Sequence, residues 1–225
     1  MTLDFIENNI KLCHTVFKAL IIDNNVKRTS DNTISWDKYI SGISNDLYVK
    51  EFEKMIDERQ FSFLLKDSSI IQIYYETENQ DLIKYKLAYY PTPLVKKLTI
   101  EEVEDYFDEA TNDLYLGYYS QLVDTFGEEI LYTNSNHIRF DFDSKVTSHF
   151  KNHIQFGGIN ELRIPLKFIV LPFTFIDFIV RNVYSVEFAK ISLKLSYLAL
   201  KGNSKNYIEL ETLLNHDSLY LHKDF

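Results

Sequence analysis

HIRFDFDSKVTSHFKNHIQFGGINELRIPL, His137 to Leu166, decides the fold. It holds three of the six histidines and two of the six glycines, and has the clearest two-residue alternation in the chain. In HIRFDFD, Ile138, Phe140 and Phe142 fall on one face of a strand, and His137, Arg139, Asp141 and Asp143 on the other. NHIQF repeats the pattern, with Ile154 and Phe156 opposed to His153 and Gln155. Gly157 and Gly158 then supply a turn, since glycine takes φ > 0 without steric cost. ELRIPL follows, with Leu162, Ile164 and Leu166 opposed to Glu161, Arg163 and Pro165. Pro165 cannot donate to a ladder, which puts this strand at or near an edge.

The three segments read as an antiparallel meander whose apolar faces must coincide, and this restricts the register. Phe156 opposite Leu162 puts Gln155 opposite Arg163. The other face then gathers acids, bases and cations: His137, Arg139, Asp141, Asp143, His153, Gln155, Glu161 and Arg163. Asp141 and Asp143 are about 6–7 Å apart along the strand. A metal ion or a water could sit between them, or an arginine could neutralise them. An antiparallel sheet with one solvated face shows the same alternation, so the polar face reads either as a water-facing surface or as a site.

The run HIRFDFD, His149, HIQFGG, RIP and PFTFIDFIVRNVY resembles a family of uncharacterised bacterial proteins catalogued as a domain of unknown function. The resemblance covers about residues 137–184 and rests on Arg139, Asp141, Asp143, His149, His153, Gly157, Arg163, Ile164 and Pro165. Members commonly have a second histidine where this chain has Gln155. The resemblance implies a bacterial setting near phage-defence or toxin-type systems, and no established reaction.

The 225 residues suit a single domain, with a helical portion over about 1–66, a sheet-and-helix core over about 67–184 and a helical portion over about 185–225. The net charge of −9 argues against broad non-specific nucleic-acid binding and leaves room for a local contact. With Cys13 the sole cysteine, neither an intrachain disulfide nor a cysteine zinc site can form. MTLDFIENNIK has no basic n-region and no apolar h-region, so a cytoplasmic protein without membrane association is expected.

Along the chain, residues 3–22 predict an amphipathic helix with Thr2 or Asp4 at its start, and 23–46 a polar loop segment in which Trp36 and Tyr39 anchor ISWDKYI to the core. A short helix is expected over 46–58. SIIQIYYE and LIKYKLAYYP form a hairpin through TENQD, and Lys84 and Lys86 extend the polar face if it joins the meander. A long helix follows Leu98, with Thr99 and Glu102 as a capping box. From Leu98 to His137 there are ten Asp or Glu and no Lys or Arg: a solvated acidic face, or a docking surface for a basic partner. Pro172 opens a buried helix, and EFAKISLKLSYLALKGN a further one ended by Gly202 and Asn203. A short helix from Tyr207 to Leu214 precedes a polar tail with His216 and His222.

The fold expected is α+β: an antiparallel sheet of about five strands with helices mainly on one face. Two functions from different classes follow. In the first, Asp141 and Asp143 hold Mg²⁺ or Mn²⁺, or the histidines work without a metal. His149 or His153 moves protons, Arg163 stabilises charge on phosphate, and the protein acts on phosphodiesters. In the second, it is a non-enzymatic partner or regulatory subunit, contacting another protein through the acidic helix. No P-loop, GxGxxG, HExxH, GxSxG or CxxC motif is present.

Overall fold

A computed structural model describes residues 1–40, 48–93, 95–96, 131–132, 136–157 and 162–204. The chain divides into two units, Met1–Pro91 with Asn136–Phe225, and Thr92–Ser135. In the second, β7 (Val95–Lys96) pairs antiparallel with β8 (Leu131–Tyr132). The expected helix after Leu98, its capping box, the acidic run up to Ser135, Gly158, Glu161, the helix from Tyr207 and the two tail histidines lie outside the described residues.

The first unit is α+β and its sheet is antiparallel, as expected. The central strands are β5 (Ile70–Glu78) and β6 (Asp81–Tyr90), joined by a two-residue turn tighter than the polar loop TENQD suggests. Asn79 and Gln80 both take left-handed backbone there, at φ 51° and 69°, the hand that matches strand twist in a hairpin. β6 pairs with β9 (Ile138–Asp143), β9 with β10 (Asn152–Phe156), and β10 with β11 (Arg163–Pro165). The meander therefore forms and joins the hairpin, with Gln155 opposite Arg163 as the apolar faces require.

Among the described residues the sheet has nine strands rather than about five. The additions are β1 (Ile21–Asn24), β2 (Val26–Ser30), β3 (Thr33–Trp36) and β4 (Phe63–Leu65). Val26–Trp36 is thus a hairpin where a polar loop was expected, and residues 41–46 of that stretch lie outside the described residues. β4 and β3 take successive stretches of the outer edge of β5. Four of the five side chains of β2 are exposed, so the hairpin lacks the alternation that marks a half-buried strand.

Helix α1 (Leu3–Val16) stops short of residue 22 because Ile21 enters β1. Thr2 Oγ1 caps it by accepting from the Phe5 amide. α1 and α3 (Pro172–Val183) cover the apolar face formed by Ile71, Ile73, Tyr75, Tyr85, Leu87, Phe140, Phe142 and Ile154. α2 (Tyr48–Asp57) packs Phe52 and Met55 against Ile70, Ala88 and Tyr90 on the opposite face. The expected helix after Glu187 is two, α4 (Ser185–Ile191) and α5 (Leu195–Asn203). Lys194 is extended between them, and the break brings Ile191, Tyr197 and Leu200 all into the core. Among the described residues no helix is long and apolar enough to cross a membrane.

Candidate functional site

Because side chains alternate along a strand, the ladder sets the polar face out in rows. One row runs Tyr74, Lys86, Asp141, His153 and Pro165 across five strands. The next runs Gln72, Ala88, Arg139, Gln155 and Arg163. A third pairs Glu76, Lys84 and Asp143. Residues of all three rows and the loop between β9 and β10 line a cavity of about 190 Å³, and all five residues expected to be catalytic are among them: Asp141, Asp143, His149, His153 and Arg163. His137 does not. Its ring lies 4.9 Å from that of Tyr90, beyond the cavity wall.

Asp141 and His153 are 8% and 4% exposed, so this part of the face is not water-facing. Asp141 Oδ2 accepts from Arg139 Nε at 2.6 Å and stands 3.9 Å from His153 Nε2. Asp143 Oδ2 accepts from Lys84 Nζ at 2.7 Å. Each carboxylate is therefore turned to a cation of its own. Among the described residues no group of three or more His, Cys, Asp or Glu is placed to hold a metal ion. Arg139 also donates to Gln155 Oε1 at 3.3 Å.

His153 Nδ1 lies 3.0 Å from the Phe150 carbonyl. A carbonyl only accepts, so Nδ1 carries the proton and a neutral ring keeps its lone pair on Nε2, toward Asp141. Burial pushes His153 below the usual histidine range, against the opposing pull of the Asp141 charge. His149 is exposed in the loop, bonded to Ser148, with its ring 5.1 Å from that of His153 and edge-on to it. The pair meet through a bend in the loop and not through helical spacing. At Asp143, burial acts to raise the pKa, but the Lys84 and Lys145 bonds outweigh it and the net shift is downward.

Five cationic side chains line the cavity against two carboxylates: Lys84, Lys86, Arg139, Lys151 and Arg163. Lys84 and Arg139 are taken by the aspartates. Lys86, Lys151 and Arg163 make no ion pair among the described residues. Two buried polar atoms in the wall, Arg163 Nε and Asp141 Oδ1, have no hydrogen-bond partner among the described residues. Buried polar groups are nearly always satisfied, so a donor and an acceptor both left open here mark a place for a ligand or ordered water. Lys151 escaped the sequence reading because it sits in the loop, where alternation says nothing of direction.

The search of curated proteins and that of solved structures give no match. A family model does match, over residues 20–217, and its description is an uncharacterised conserved protein. That span is most of the chain, which thus belongs to the uncharacterised conserved protein family DUF2290.

Proposed function

We propose that the cavity binds the phosphate of a phosphodiester and that His153 and His149 move the protons of its cleavage. The observation that carries this reading is the local excess of cationic side chains, three of them without an ion pair, in a chain of net charge −9. Among the described residues such charge has no acidic partner, and it suits an anion. Arg163, Lys86 and Lys151 neutralise the phosphate and the charge that develops on it. His153 Nε2 takes the proton of the attacking hydroxyl as that oxygen bonds to phosphorus. Asp141 steadies the imidazolium so formed. The bond from phosphorus to the leaving oxygen breaks, and that oxygen takes a proton from His149. Asp141 and Asp143 each commit Oδ2 to a cation, Arg139 and Lys84, and the reaction is proposed without a metal. A cleavage of this kind would serve the phage-defence or toxin-type setting that the sequence resemblance implies.

The test is cleavage of labelled oligonucleotides by the wild type, His153→Ala and Arg163→Gln, each with and without Mg²⁺ and Mn²⁺. Loss of cleavage in both variants at unchanged thermal melting is expected, with no requirement for added metal. General acid–base catalysis contributes about 10²–10⁴-fold, which sets the drop for His153→Ala. A wild type that neither cleaves nor binds any phosphodiester would overturn the reading.

A further inference from the structure

We infer that the ligand is a single-stranded nucleic acid, one base of which stacks on Tyr39 beside the basic cavity; this rests on the phosphate reading above. Tyr74 continues the row of Lys86, Asp141 and His153 one strand further, on the same face of the sheet. The Tyr39 ring lies 5.0 Å from that of Tyr74, tilted by 31°. Behind it, Trp36 meets Tyr39 edge-on at 4.9 Å and is fixed by a bond from Nε1 to Gln60. Tyr39 itself is partly exposed, and Lys86, the ladder partner of Tyr74, lines the cavity. An unpaired cation of the cavity wall thus stands next to a backed aromatic surface. Ladder partners are about 5 Å apart, so Tyr74, on which Tyr39 lies, stands one strand from the cavity wall at Lys86.

Cations that follow a backbone, next to rings that accept an unstacked base, are what single-strand binding uses. In a duplex the bases are stacked inside and cannot reach a ring at the rim of a cavity. The acidic remainder of the protein restricts the contact to this spot. Three unpaired cations give a slope of about −2 for log affinity against log salt, at about 0.7 per neutralised phosphate of a single strand.

The experiment is fluorescence anisotropy on the full chain with three labelled probes. They are a short oligothymidine, an abasic strand with the same number of phosphates, and a hairpin duplex. Base–aromatic stacking predicts oligothymidine binding about 5- to 150-fold tighter than the abasic strand. Tyr39→Phe keeps that ratio. Tyr39→Leu, which keeps an apolar side chain but removes the ring, brings it to unity and leaves abasic binding unchanged. Equal binding of the two strands by the wild type, or a ratio unmoved in Tyr39→Leu, overturns the inference and leaves the phosphate reading standing. Tighter binding of the duplex overturns the single-strand assignment. No binding of any probe removes the phosphate reading and the inference with it.

Discussion

His137 should make the protein unstable in mild acid. Its Nε2 is buried without a partner among the described residues, its ring lies on Tyr90, and Arg139 stands two residues on, in β9. Burial first, and the Arg139 charge second, lower its pKa from 6.5 to about 4. The sign follows from proton counting: between those two values the unfolded chain binds the proton and the folded chain does not. Stability from this group is therefore full above 6.5 and is lost as pH falls toward 4. Linkage gives a loss of about 2 kcal/mol at about pH 5 relative to neutral pH. His153, also lowered by burial, adds to the loss in the same direction. Asp143, with its pKa below the usual carboxylate range, titrates at lower pH and leaves this window clear. Urea unfolding at about pH 7.5 and 5, on wild type and His137→Phe, isolates the term, because phenylalanine keeps a ring against Tyr90 and cannot titrate. The variant should lose about 2 kcal/mol less than the wild type over that interval. Identical losses would show that His137 is not held neutral by the fold.

Gly157→Ala should destabilise the protein by about 1–3 kcal/mol, the usual range for overpacking, because a Cβ there would lie 2.7 Å from His137 Nδ1; unfolding of the Gly157→Ala and His137→Ala double variant should recover most of that loss. Asn152→Ala should cost about 2–5 kcal/mol in the same assay. Asn152 is buried, accepts from the Tyr85 hydroxyl, and donates to the Leu166 and Phe168 carbonyls at 3.2 and 2.6 Å; a cost under about 1 kcal/mol would mean that these bonds do not hold β10 to the segment after β11.

The meander was legible because two independent signals agreed there. Alternation set the faces of β9, β10 and β11, and burial of Phe140, Phe142 and Ile154 left one register in which those faces coincide. From that register alone came four of the five expected site residues, Asp141, Asp143, His153 and Arg163, on one surface. The edge strands were not legible, because a strand as short as Phe63–Leu65, or as exposed as Val26–Ser30, carries no period to read. His149 and Lys151 reach the cavity through a bend in the loop, and no spacing rule specifies a bend. Gly157 lies in the expected turn and also serves close approach to His137, which no turn signal announces. The meeting of Tyr39 with Tyr74 depends on the β2–β3 hairpin docking on β5, which the chain's local pattern does not announce.

The arrangement of the ion pairs explains how an acidic chain keeps a cationic cavity. Asp141 has Lys86 and His153 as its ladder partners, and either could have claimed it. It is held instead by Arg139, two residues along the same strand and on the same face, at 2.6 Å. Asp143 is likewise held across the ladder by Lys84. Both acids are thus neutralised by residues of β6 and β9, on one side of the cavity, while Arg163 on β11 and Lys151 in the loop stand on the other. Had Asp141 bonded to His153, the imidazole would be drawn toward its charged form and its Nε2 lone pair lost to a nucleophile. Had it bonded to Lys86, the cation nearest Tyr74 would no longer be available to a phosphate. Arg139 is therefore a positioning residue in this reading: it takes up one oxygen of Asp141, leaves the other open to a ligand hydroxyl, and keeps His153 neutral and Lys86 unpaired.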